Sequence, residues 1–189
     1  MSFKTQIEEN QKLVSLVVSN NELIDRIEKS IELVLKNINL EKPLLVCGNG
    51  GSSADAEHIV GELVGRFLKE RRAINAISLS SNSAAITAWS NDYDYSTIFS
   101  RQVEAHGKNG GVLFGISTSG NSKNVINAVK KAKELKMDTI CLTGEGGGEL
   151  AKYCDLLIDV PSKKTPRIQE VHIIIYHYIC ERLEELYKG

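Results

Sequence analysis

The chain has 189 residues, 42% of them hydrophobic and 25% charged, enough to bury a sizeable core in one domain. Its 23 basic and 24 acidic side chains leave a net charge of −1, which excludes a broad electrostatic attraction to nucleic acid or to an anionic membrane. No run approaches the ~20 apolar residues of a bilayer span. The first dozen residues carry Glu8, Glu9 and Asn10 where a signal peptide needs an apolar core, and Cys47, Cys141, Cys154 and Cys180 show no CxxC spacing. A soluble cytoplasmic protein with free, mostly buried thiols is expected.

Residues 3–38 read as helix in two pieces that part at Ser19-Asn20-Asn21. The second piece carries Ile24, Ile27, Ile31 and Val34 at intervals of three and four, a stripe that needs a partner in its own sheet or in a neighbouring subunit. After Lys42-Pro43, the apolar run 44–47 (LLVC) predicts a first strand, and a helix through Ile59, Leu63, Val64 and Phe67 follows it. Residues 73–79 predict a second strand, 86–89 a short helix, and Asn91-Asp92 the start of a loop rich in Tyr and Asp. A helix over 98–105, a strand over 112–116 and a helix over 124–135 come next, then a strand over 139–143, a helix over 149–153 and a strand over 156–160. The last helix starts with Thr165 as cap and Pro166 in the first position, and runs to about residue 187. This alternation predicts an α/β fold: a three-layer αβα sandwich with a mostly parallel sheet, in which an N-terminal helical segment (1–40) precedes the core (44–189). Ligands of such sheets bind outside the carboxyl ends of the strands.

Two turns fall there. Gly48-Asn49-Gly50-Gly51-Ser52-Ser53 brings three glycines to the end of the first strand, with Ser52 or Ser53 placed to cap the following helix. Strand, glycine turn and helix N-terminus form an anion site. It is not a dinucleotide fingerprint, because Ser53 stands in place of the third glycine and the second strand ends in Leu79-Ser80-Ser81 without an acidic residue. Nor does it hold the GK[ST] of a P-loop. Ser117-Thr118-Ser119-Gly120-Asn121-Ser122 repeats the design with four hydroxyls in six residues, donors suited to a phosphate.

His58 and Glu62, four apart, share one helix face; they are either an ordinary surface pair or the polar centre of a site. Gln169 and His177 stand eight apart on the last helix, about 80° apart in projection. His177 lies in an otherwise apolar run, where a ring needs a hydrogen bond or a metal. His172 and His106 read as structural. His58, Glu62, Gln169 and His177 would together make a mixed N/O donor set for Zn²⁺ or another first-row divalent ion, provided the two helices meet, within a chain or across subunits.

The stretches CGNGGSSADAEHIVGELVGRF, Asn91-Asp92, FSRQVEA at 99–105, GISTSGNSKNV at 115–125, LTGEGGGELA and TPRIQEVHIIIYH at 165–177 make the chain resemble phosphoheptose isomerases, in the sugar isomerase (SIS) domain family, over essentially its whole length. The resemblance implies conversion of sedoheptulose 7-phosphate to D-glycero-D-manno-heptose 7-phosphate through an enediol, toward heptose for lipopolysaccharide or capsule. It implies a homotetramer with active sites at subunit interfaces, and one zinc per site. By position, Ser117, Thr118, Ser119 and Ser122 would hold the phosphate, and Asn49, Gly50, Gly51, Ser52, Asn91 and Asp92 the sugar, which Glu62 and Gln169 would also touch. His58, Glu62, Gln169 and His177 would bind metal, with Glu62 and His177 catalytic: Glu62 the candidate base, His177 the acid, the reverse assignment left open. Trp89-Ser90, Gly110-Gly111, Asp94 and Ser96 depart from the usual family pattern and bear on which heptose is taken. The family also holds a non-catalytic tetramer that binds the bacterial replication initiator and is expected to lack the Glu and the final-helix His, both of which this chain keeps. A regulator of the sugar-sensing kind would need a helix-turn-helix upstream, and none is evident in residues 1–40.

Overall fold

The structure, a computed structural model, describes residues 2–188. Helices α1 (Phe3–Val18) and α2 (Asn21–Ile38) part at Ser19-Asn20, and their first turns are capped by the side chains of Ser2 and Asn20. Five strands follow: β1 (Leu44–Cys47), β2 (Ala76–Ser78), β3 (Val112–Ser117), β4 (Asp138–Thr143) and β5 (Leu156–Asp159). They are interleaved with helices α3 (Gly51–Val64), α4 (Ser83–Asp92), α5 (Ile98–His106) and α6 (Lys123–Glu134), and α7 (Thr165–Leu186) closes the described chain.

All strand pairs are parallel, in the order β2-β1-β3-β4-β5. Side chains alternate across the sheet. Leu44, Val46, Val112, Phe114 and Ile140 therefore pack toward α2, α3 and α7, while Leu45, Cys47, Leu113 and Cys141 pack toward α5 and α6. Both faces are covered, which is why the strands read as unbroken apolar runs. The four cysteines are free. Among the described residues, no helix is long and apolar enough to cross a membrane.

The N-terminal stripe finds its partner in the chain's own sheet and α7, with one correction: Ile24 is exposed and Leu23 takes its place. Leu23, Ile27, Ile31, Val34 and Ile38 of α2 are buried in the core shared with the sheet and α7, whereas α1 buries only Leu13 and leaves Phe3, Ile7, Leu16 and Val18 exposed.

Several boundaries differ from the sequence reading, each for a local reason. β2 is only three residues long, the Ile74 amide donating to the Leu63 carbonyl (3.1 Å) instead of joining the sheet, and α3 ends at Val64, where the following backbone pairs elsewhere. The buried Glu184 carboxylate of α7 accepts from the amides of Phe67 (3.1 Å), Leu68 (2.7 Å) and Lys69 (2.9 Å), and the Arg71 guanidinium donates to the Glu62 and Gly65 carbonyls. Asn91 and Asp92 end a capped helix instead of starting a loop. Residues 148–152 form a 3₁₀ turn, and Thr165 is the first residue of α7, with Lys164 in the capping position. Ser52 and Ser53 lie inside α3, which starts at Gly51 after Gly50 takes a φ of 57°.

Candidate active site

Strand order reverses between β1 and β3, so the turns that leave their carboxyl ends stand side by side, with Cys47 opposite Gly115 in register. This is the switch point at which an open parallel sheet forms a binding crevice. Two amide side chains join the turns: Asn49 Nδ2 donates to Asn124 Oδ1 (2.9 Å) and Asn124 Nδ2 donates to Asn49 Oδ1 (2.8 Å). The Tyr95 hydroxyl donates to the same Asn49 oxygen at 3.0 Å. Ser80 holds the first turn from below, accepting from the Gly48 amide and donating to its carbonyl.

The helices that open onto the crevice are uncapped. Whereas α1, α2 and α4 have side-chain caps, neither α3 nor α6 does. The Ser52 and Ser53 amides donate to the Asn49 and Gly50 carbonyls and the Val125 amide to Asn124 Oδ1, so what the two helix starts offer an anion is their partial positive charge and the remaining first-turn amides. Beside the start of α6, the hydroxyls of Ser117 and Ser122 are 2.9 Å apart, with Thr118 half-buried and Ser119 exposed. Gly120 at φ 66° brings this turn against the Gly147 carbonyl, 2.0 Å from where a Cβ would stand. The glycine-rich turn after β4 therefore braces the hydroxyl turn.

α3 and α7 pack together and bring the polar groups into contact. His58 Nε2 lies 2.9 Å from Glu62 Oε1 and 3.5 Å from His177 Nε2, although His58 and His177 are 119 residues apart. One ligand atom from each of the three lies within 4.8 Å of the others. Tetrahedral ligands at zinc bond lengths of ~2.0–2.1 Å stand roughly 3.4 Å apart. Donor type and spacing in this chain both fit such a cation. Phe67 packs its ring 5.7 Å from that of His177.

Gln169 stands elsewhere. A Cβ on Gly51 would lie 2.4 Å from Gln169 Nε2, so the amide rests directly on the glycine at the first turn of α3. About 10 Å of helix rise separate Gly51 from His58. The single chain thus gathers His58, Glu62 and His177 and seats Gln169 at the crevice. Asn91 and Asp92 are exposed and hydrogen-bond each other (3.0 Å) at the end of α4.

His177 is only half-buried: Ile175, Tyr176 and Ile179 of its run face the core, whereas Ile173, Ile174 and Tyr178 are exposed. The core histidine is His172, fully buried, with Nε2 3.1 Å from the Thr143 carbonyl and its pKa pushed down by burial to about 4. Sequence reasoning missed Asn124, Tyr95, Asp55 and Tyr176. Asp55 left a signal, an acid on the stripe of Ser52, Ala56, Ile59 and Leu63 that α3 buries. Burial pushes its carboxyl up, against the hydrogen bond from Tyr176.

The class of protein follows from comparison with known families, where the SIS domain profile matches residues 8–144. The phosphoheptose isomerase of Clostridium acetobutylicum is 47% identical over 182 residues, covering 96% of this chain and 91% of that protein. The structure of the phosphoheptose isomerase of Neisseria gonorrhoeae superposes with a TM-score of 0.90 at 39% identity, over 97% of each chain. That of Francisella tularensis gives 0.92 at 34%, over 96% of each. The chain belongs to the phosphoheptose isomerase family of SIS-domain proteins.

Proposed function

We propose that the chain interconverts sedoheptulose 7-phosphate and D-glycero-D-manno-heptose 7-phosphate by moving a proton between the first two carbons of the open-chain sugar. Family membership supports the reaction class. The observation that carries the mechanism is the convergence of Glu62 from α3 and His177 from α7 beside His58. An extended chain advances ~1.2 Å per bond, so roughly eight bonds from C1 to phosphorus span about 10 Å. The rise of α3 from Gly51 to His58 is about the same. The 117–122 turn is the proposed phosphate seat, and the Asn49 and Gln169 amides at the crevice are proposed to meet the sugar hydroxyls.

Glu62 is assigned as the base. Its Oε1 is engaged by His58, while Oε2 makes no hydrogen bond among the described residues. That oxygen is free to take the carbon-bound proton, and His177 serves the carbonyl oxygen as acid. Each such group typically contributes ~10²–10⁴-fold. His58, Glu62 and His177 would hold a divalent cation, proposed as zinc, which when bound polarises the carbonyl and favours the oxyanion. Gln169 is retained as a neutral fourth donor, a role that requires its side chain to turn from Gly51 toward His58 or to come from another subunit. The exposed apolar residues of α1, together with Ile173 and Ile174 of α7, support a homo-oligomer, proposed as the tetramer with sites at its interfaces. A cytoplasmic enzyme that feeds surface-polysaccharide heptose accords with the four free cysteines. The initiator-binding alternative is not favoured, because Glu62 and His177 share one cluster and the relatives above are isomerases.

The test is to incubate the purified protein with sedoheptulose 7-phosphate, with and without a chelator. Aldose product is expected, lost on chelation and regained with Zn²⁺. No product from untreated protein overturns the reading.

A further inference from the structure

Tyr176 directly precedes His177 on α7, about 100° around the helix, and the two side chains meet different surroundings. His177 is half-open; Tyr176 is 1% exposed, packed in the core with Ile59, Leu63 and Phe114. At the end of that buried ring the hydroxyl lies 3.0 Å from His58 Nδ1 and 3.4 Å from Asp55 Oδ1. Asp55 is 8% exposed, and its Oδ2 has no hydrogen-bond partner among the described residues.

A neutral imidazole carries one N–H, and the partner of one nitrogen decides the state of the other. His58 has a hydroxyl on Nδ1, and on Nε2 the Glu62 carboxylate and the His177 ring. A hydroxyl can donate or accept, whereas a carboxylate only accepts. Two arrangements are therefore open, the first leaving Asp55 without the Tyr176 donor and the second complete only when a cation lies between Nε2 and Glu62. In one, Tyr176 donates to Nδ1 and Nε2–H donates to Glu62. In the other, Nδ1–H donates to Tyr176, Tyr176 donates to Asp55, and Nε2 presents a bare lone pair to Glu62 and His177. The second is the form that ligates a cation, since a metal-bound histidine donates its other N–H to a fixed acceptor. Phenylalanine at 176 would leave that Nδ1–H facing a buried wall without an acceptor.

We propose that Tyr176, backed by Asp55, is a positioning residue: it holds the His58 ring with Nε2 toward Glu62 and His177, and it lets His58 exchange one arrangement for the other when a cation arrives. The holding function rests on the contacts alone. The exchange rests on the reading of His58, Glu62 and His177 as a cation site.

The test compares wild type, Tyr176→Phe, Asp55→Asn and His58→Ala, each confirmed as folded by circular dichroism. Zn²⁺ affinity is read by competition with a chromophoric chelator, and the state of His58 Nδ1 by ¹⁵N NMR of the cation-free protein. Tyr176→Phe should bind Zn²⁺ 10–100-fold more weakly and move the Nδ1 resonance to that of an unbonded ring nitrogen. Its kcat should fall at limiting Zn²⁺ with the sugar KM unchanged, and should recover at high Zn²⁺, a rescue that loss of packing would not permit. Asp55→Asn should weaken binding in the same direction, and the double variant should be no worse than Tyr176→Phe alone. Wild-type Zn²⁺ affinity in Tyr176→Phe, or in Asp55→Asn should the first fail to fold, overturns the proposal. Equal affinity in wild type and His58→Ala would instead overturn the cation reading and the exchange with it; the cation-free Nδ1 resonance then decides the holding function.

Discussion

Asn49 and Asn124 exchange amide hydrogen bonds in both directions, at 2.9 and 2.8 Å, and so tie the glycine turn after β1 to the first turn of α6. The pair spans the point where strand order reverses, and Asn124 also accepts from the Val125 amide at 3.0 Å. The pairing of β1 with β3 sets the two halves of the crevice side by side, and this pair of side chains ties their turns together.

Asn124→Ala should loosen that tie. Loss of a buried neutral hydrogen bond costs ~1–2 kcal/mol, so KM for the sugar phosphate should rise about tenfold with a smaller change in kcat. An Asn49→Ala/Asn124→Ala double variant should be clearly less than additive. Steady-state kinetics of the three variants check this, and additive effects would mean that the two residues act independently.

Glu62→Gln should abolish exchange of solvent hydrogen into the substrate carbon while leaving phosphate binding intact, with kcat down by ~10²–10⁴. Deuterium incorporation followed by NMR, alongside inorganic phosphate binding, separates the two effects. Normal exchange would remove Glu62 as the base.

Glu184 holds the segment that carries Phe67 against His177. Burial pushes its carboxyl up, but the amides of Leu68, Lys69 and Phe67 together with Arg71 outweigh this and hold it below the usual range. Arg71 Nε stands 3.4 Å from the carboxylate without hydrogen-bond alignment, so the pair is held by charge. Glu184→Gln leaves Arg71 buried without its counter-charge and should cost about 3 kcal/mol. Denaturant unfolding measures it; a loss below ~1 kcal/mol would show that the amide suffices.

His172 predicts a pH dependence of stability. Its folded pKa is about 4, against 6.5 for the free side chain. Between these values the unfolded chain binds a proton that the folded chain refuses, so this contribution is complete above about pH 6.5 and is lost as pH falls toward 4. A difference of this size is on the order of 3 kcal/mol. His172→Gln, which can still donate to the Thr143 carbonyl, should flatten the change in unfolding free energy between about pH 7 and 4.5. An unchanged slope would locate the acid sensitivity elsewhere.

Much of this architecture was legible because its signals are local. The runs 44–47, 112–116 and 139–143 are strands because apolar stretches of that length end in turns, and the two polar turns follow from glycine and hydroxyl content alone. Errors arose where distant residues supply the partner. The apolar spacing through Phe67 reads as helix, yet α3 stops at Val64 and Glu184 from the other end of the chain takes the amides of Phe67, Leu68 and Lys69. The surroundings of His177 were not legible either, because an apolar run on a helix does not say which side is covered.

By itself, then, the sequence determined the alternation of strands and helices, the two polar turns and the candidate donors, since residue type and spacing carry all of these. Only the tertiary structure decided which donors meet. Neighbouring helix positions point 100° apart, and the packing of α7 on α3 sends Tyr176 into the core beneath His58 and His177 out beside Glu62.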